Sequence, residues 1–177
     1  EFKLTGLKGI SDQQIEVHLG LYAGYVRNTN TLNERIAEMS RTQKAGTPDW
    51  AELTRRLGFE YDGMILHEYY FGNLKPGGSE LDRTSSLAKE LEKSFGSVDT
   101  YLADFKAVAT MRGIGWAILY QDSQSGKLFN CWINEHDVGH PAGCAPILIM
   151  DVFEHAFMID YGLKRADYIG AFFKNIN

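Results

Sequence analysis

The residues most able to do chemistry are imidazoles and one carboxylate. Histidines stand at 18, 67, 136, 140 and 155. His155 lies in the run Asp151-Val152-Phe153-Glu154-His155. A carboxylate and an imidazole four residues apart share one face of a helix, and even at a strand-to-helix junction they reach a common ion. His18 falls on one helical stripe with Ile15, Tyr22 and Tyr25, and His67 falls on another with Met64, Tyr70, Phe71 and Leu74. Each ring therefore points to an apolar face. One histidine so placed is ordinarily a hydrogen-bonded core residue, and Asp151 alone is ordinarily a helix cap. Two such imidazoles on the facing sides of a helical hairpin, together with Asp151 and His155, make a set of three histidines and one aspartate. Neutral nitrogen with hard oxygen, and no thiolate, suits iron, manganese or zinc.

Other chemistries find little support. Gly113-Ile114-Gly115-Trp116 lacks the third glycine of a dinucleotide-binding turn. His67-Glu68-Tyr69-Tyr70 starts like a zinc-protease helix, but Phe71 stands where the second histidine belongs. No serine or cysteine nucleophile pattern occurs. Cys131 and Cys144 cannot form a disulfide framework and read as free thiols in a reducing compartment, hence a cytoplasmic protein. The opening residues show no export signal, although the chain starts without Met and such a signal could have been trimmed.

Positioning these groups requires a particular set of elements. Ser11-Asp12 starts a helix whose apolar residues Ile15, Leu19, Tyr22 and Val26 follow the helical period. Asn28-Thr29-Asn30 should loosen it before Leu32–Arg41 continues. Pro48 opens a second helix running to about Leu74, weakened by Gly58 and Gly63. Leu74-Lys75-Pro76-Gly77-Gly78 is the strongest break, which divides the chain into residues 1–77, a helical hairpin, and 78–177. The second part should hold helices at Ser85–Ser94 and Val98–Thr110 and a β-hairpin of Trp116–Gln121 with Lys127–Ile133. A third strand at Pro146–Met150 and helix over Asp151–Tyr161 and Ala166–Phe173 complete it. The expected class is α+β, an N-terminal helical hairpin followed by an α+β domain with a three-stranded antiparallel sheet.

Composition sets outer bounds. The chain has 177 residues, a net charge of −5 and 44% apolar residues. These values are ordinary for a globular domain and argue against nucleic-acid partners. No apolar run approaches the roughly 18 residues of a membrane span. Aromatic residues make up 12% of the chain.

Against this background the sequence resembles the iron/manganese superoxide dismutases. Asp151-Val152-Phe153-Glu154-His155-Ala156-Phe157 fits that family's signature D-x-[WF]-E-H-[STA]-[FY] at every fixed position. Ser11–His18, His67–Phe71 with Asn73-Leu74, Gly113–Trp116 and Lys164–Tyr168 resemble further family segments, in order, over about residues 8 to 174. The resemblance implies one iron or manganese ion per subunit, held by His18, His67, Asp151 and His155, with water or hydroxide as a fifth ligand. It implies that His136 hydrogen-bonds this solvent, because Gly63 occupies the place where another branch of the family carries a glutamine. Tyr25 would be the gateway tyrosine, and Tyr22, Tyr70, Phe71, Trp116 and Phe153 would line the pocket. Glu154 would pair with a partner's histidine in a homodimer or tetramer. The sequence departs from the family in Leu21, where a lysine is usual, in Tyr22 at a gateway histidine's place and in Met158 at a tyrosine's; Phe71 and Phe153 replace tryptophans. The implied activity is dismutation of superoxide to oxygen and hydrogen peroxide. The alternative is a metal-binding homologue with weak or altered redox activity. Because superoxide is an anion and the chain is acidic, Lys164 and Arg165 are the expected steering cations.

Overall fold

The structure, a computed structural model, describes residues 2–177. Two long helices, α1 (Asp12–Arg41) and α2 (Pro48–Gly72), form an antiparallel hairpin. Ser11 caps α1 by accepting from the Gln14 amide, and Thr47 caps α2 with Pro48 in its first turn. The expected loosening at Asn28–Asn30 does not occur, and α1 is continuous. Thr29 and Leu32 are buried, and the Asn28 amide donates to Glu60 of α2 at 3.1 Å. Packing and a cross-helix hydrogen bond outweigh the weak helix propensity of this stretch. Gly58 and Gly63 likewise leave α2 unbroken.

Helices α3 (Ser86–Phe95) and α4 (Val98–Thr110) follow, each with a serine N-cap. The sheet comprises β1 (Trp116–Asp122), β2 (Leu128–Ile133) and β3 (Cys144–Asp151) in the order β2-β1-β3, all antiparallel. Residues Trp116–Tyr120 of the central strand are buried. Strand β3 starts earlier than its apolar run suggests. Its ladder with β1 slips between Leu119 and Tyr120, next to Pro146. An edge strand tolerates a proline there, since it lacks an amide to donate.

The segment after β3 departs most from expectation. Asp151–Tyr161 is not one helix. Asp151 is the last residue of β3, Val152 belongs to no element, Phe153 is extended, Glu154–Ala156 form a single 3-10 turn, and α5 (Met158–Tyr161) is one turn long. Helix α6 (Arg165–Phe173) then buries Tyr168, Ile169, Ala171 and Phe172. The chain's end returns to the break after α2. Leu74 bridges Ile176, the Lys75 amide donates to the Asn175 carbonyl at 2.8 Å, and the Asn177 amide donates to the Asn73 carbonyl at 2.8 Å. Asn73 Oδ1 also accepts from the Ile149 amide of β3 at 2.8 Å, which seats the end of the hairpin against the sheet.

Candidate metal centre

His18 of α1 and His67 of α2 face each other across the hairpin, with ring centroids 5.0 Å apart and both rings fully buried. The end of β3 inserts Asp151 between them, and the following corner brings in His155. The Nε2 atoms of His18 and His155 each lie 3.0 Å from Asp151 Oδ2, and that of His67 lies 3.5 Å from it. One donor atom from each of the four residues falls within 4.8 Å of the others. Asp151 and His155 thus meet across a strand-to-turn corner rather than along a helix face. That corner is held by four hydrogen bonds. The Val152 amide donates to the Gly115 carbonyl at 2.9 Å. The Phe153 amide donates to Asp151 Oδ1 at 2.9 Å, leaving Oδ2 for the cluster. Gln14 donates to the His155 carbonyl at 2.6 Å and accepts from the Ile159 amide at 3.1 Å.

The residues fit a cation. His67 Nδ1–H donates to the Gly63 carbonyl at 2.6 Å, so Nε2 carries a lone pair. That atom is buried and no protein donor meets it. A lone pair and a carboxylate oxygen 3.5 Å apart in a dry site repel unless positive charge lies between them. Burial holds His67 down at about 3 and lowers His18, so both rings are neutral, ligand-ready bases. Burial opposes the charge on Asp151, but His155 and His18 prevail and hold its carboxyl well below the usual range. His155 is likewise disfavoured as a cation by burial, and the Asp151 carboxylate overrides this and raises it.

His136 lies beside the cluster with its ring centroid 5.9 Å from that of His67. The Trp116 indole donates to its Nδ1 at 3.2 Å, and its Nε2 lies 2.7 Å from the Tyr25 hydroxyl. Because burial lowers His136 to about 4, the ring is neutral, and acceptance at Nδ1 leaves its proton on Nε2, which donates to Tyr25. Burial, with the charges of Asp151 and Glu60, raises Tyr25 to about 12, so it stays protonated. The glycine at 63 is required here. A Cβ on it would come within 2.6 Å of the Tyr25 ring.

The remaining expected pocket residues surround the cluster. Phe71 and Tyr70 pack on His18 at 5.0 and 5.1 Å, Trp116 packs on His67 at 5.0 Å, and Phe153 stacks on His155 at 5.1 Å. Tyr22 sits farther out, 6.5 Å from His67, with its hydroxyl donating to Glu68 at 2.9 Å. Glu154 is exposed. Arg165 does not stand free, because its guanidinium donates to the Met111 and Gly113 carbonyls and pins the turn before Trp116. Sequence reasoning missed Gln14, Phe59 and Tyr168. Phe59 touches His136 at 4.7 Å, and Tyr168 donates to the Asp151 carbonyl at 2.9 Å while accepting from Tyr70 at 3.0 Å. Gln14 and Tyr168 both fall within family-like segments, but no spacing signal marks either role, since each braces a part of the site distant in sequence.

A helical hairpin closed on a three-stranded antiparallel sheet, with a His/His/Asp/His cluster that fits a single metal ion between them, defines a mononuclear metalloprotein of nitrogen-rich ligation. Residues 83–177 match the family described as iron/manganese superoxide dismutases, C-terminal domain. The chain is 39% identical over 180 residues to a superoxide dismutase [Fe] of Aquifex pyrophilus, covering 99% of this chain and 84% of that one. It is 36% identical over 181 residues to a superoxide dismutase [Fe] of Saccharolobus solfataricus (99% and 86% covered). Identity to a superoxide dismutase [Mn] of Haloferax volcanii is 34% over 169 residues (95% and 83% covered). The chain belongs to the iron/manganese superoxide dismutase family.

Proposed function

We propose that this protein is a superoxide dismutase whose single iron or manganese ion is held by His18, His67, Asp151 and His155. The observation that carries the assignment is the convergence of four donors, three of them buried, with orphaned imidazole nitrogens on His18 and His67, in a chain of this family. Iron or manganese bound there supplies one-electron redox between trivalent and divalent states, so that two superoxide anions and two protons give oxygen and hydrogen peroxide. The chain's own residues handle protons and access. His136 Nε2–H and the Tyr25 hydroxyl form a hydrogen-bonded pair beside the cluster and act as its proton donors. Trp116 keeps His136 in the donating tautomer. Phe71, Phe153 and Tyr70 exclude bulk water, which strengthens every electrostatic interaction within.

Assembly as a homodimer or tetramer belongs to the same reading. Glu154 is exposed beside His155, and neighbouring elements expose Val17, Leu21, Met158, Ile159 and Leu163. A cytoplasmic location accords with two unpaired cysteines, and among the described residues no helix is long and apolar enough to cross a membrane. The deciding experiment measures superoxide consumption by protein of verified metal content. Turnover approaching the diffusional range, on the order of 10⁸ M⁻¹s⁻¹ or more, is expected. Activity no greater than that of the free ion would instead favour a metal-binding homologue. His136→Ala should keep its metal and lose most turnover. Full turnover in that variant would remove His136 from its assigned role.

A further inference from the structure

His136 lies in a stretch, residues 134–143, with neither helix nor strand. Such a segment positions a ring poorly unless something else fixes its backbone. The ring is fixed by Trp116 and Tyr25, but the backbone has its own restraint. His140 Nε2 lies 2.6 Å from the His136 carbonyl oxygen, and His140 Nδ1 lies 2.6 Å from the Tyr120 hydroxyl. A carbonyl only accepts, so His140 carries its proton on Nε2 and donates it there. Its Nδ1 then accepts from Tyr120, whose hydroxyl burial pushes well above the ordinary tyrosine value and so keeps protonated. Tyr120 is itself buried, 3% exposed and stacked on Phe129.

Trp116 and Tyr120 stand four residues apart on β1, on one side of the uninterrupted β1–β2 ladder. The central strand therefore holds His136 by two handles, the indole on its ring and, through His140, the phenol on its carbonyl. We infer that His140, oriented by Tyr120, is a positioning residue that sets where the His136 imidazole stands relative to the metal centre. The inference rests on the role proposed above for His136. It adds that the strand, and not the irregular segment, decides the position of the ring.

The test uses iron-loaded protein and the variants His140→Ala, His140→Gln, Tyr120→Phe and His136→Ala, each normalised to bound iron. Glutamine keeps a donor where Nε2 stands, and phenylalanine removes only the hydroxyl. In His140→Ala and Tyr120→Phe, amide hydrogen exchange in 134–143 should accelerate at least about tenfold. Turnover should fall about three- to tenfold, and the ferric electron paramagnetic resonance line shape should change. His140→Gln should recover at least half of the loss. Unchanged exchange in 134–143 in both variants overturns the inference whatever His136 does. So does accelerated exchange that leaves turnover and line shape as they were. Full turnover in His136→Ala instead overturns the role of His136, and the exchange data still decide whether the strand holds the segment.

Discussion

A buried histidine can be an inert core residue or a ligand, and the partner of its second nitrogen separates the two. His67 spends Nδ1–H on the Gly63 carbonyl and leaves Nε2 orphaned toward Asp151, whereas both nitrogens of His136 are occupied by Trp116 and Tyr25. Their substitutions should therefore differ. Asp151→Asn or His67→Ala should lower iron or manganese affinity by about 100-fold or more, above the 10–100-fold typical of outer hydrogen-bond partners, as read by metal analysis after dialysis against a chelator. The proton of His136 also has a consequence for stability. Folding holds this ring neutral down to about 4 against an ordinary 6.5, so the unfolded chain binds the extra proton between those values. The stability this adds is fully present above pH 6.5 and is lost as the pH falls toward 4. In metal-free protein, urea unfolding between pH 4.5 and 6.5 should lose up to about 1.4 kcal/mol per pH unit for each such histidine. His136→Gln should flatten that slope by about one proton's share.

Two glycines couple neighbouring elements through the space they leave. Gly63 on α2 admits the Tyr25 ring of α1 where a Cβ would stand 2.6 Å from it. Gly63→Ala should displace Tyr25 from His136 and reduce turnover about tenfold or more, with metal content largely retained. Gly115, at φ +117°, precedes β1, and a Cβ there would overlap the Ile133 carbonyl oxygen. Gly115→Ala should cost about 3 kcal/mol or more in chemical denaturation, since left-handed backbone strain adds to the clash. Most of these elements are legible in the sequence. Caps at Ser11, Thr47, Ser85 and Ser97 and the β-rich apolar run around Ile118 are local signals. The corner after Asp151 is not. Its residues follow a helical period, but the bonds that hold it come from Gly115 and Gln14, far away in the chain.

For the whole molecule, the four donors come from α1, α2 and the corner after β3, so occupancy ties the hairpin to the sheet. Metal at about 1,000 times its dissociation constant adds about 4 kcal/mol. Chelation should therefore lower the thermal midpoint by roughly 10 °C, measurable by scanning calorimetry. Charge acts over the same scale. A net −5 repels an anionic substrate at long range, so association depends on local cations and the charge of the centre itself. Arg165 is tied to the Met111 and Gly113 carbonyls, and Lys164 is exposed. Raising ionic strength from 0.01 to 0.15 M, which shortens the Debye length from about 30 to about 8 Å, should slow turnover. Lys164→Glu should slow it further at low salt. Turnover that rises with salt would instead mean that the overall negative charge dominates the approach.

The sequence by itself determined the helix starts, the central strand, the four residues proposed as ligands and the resemblance that orders them, because caps, periodicity and residue chemistry are local. The tertiary structure decided that His67 keeps a free nitrogen while both nitrogens of His136 are taken, why position 63 must lack a side chain, and that Asp151 and His155 meet at a corner. It also decided that Arg165 braces a turn and that β1 reaches His136 through His140. Each of these depends on atoms brought together from distant parts of the chain by the closure of the hairpin on the sheet, a packing event that no local pattern encodes.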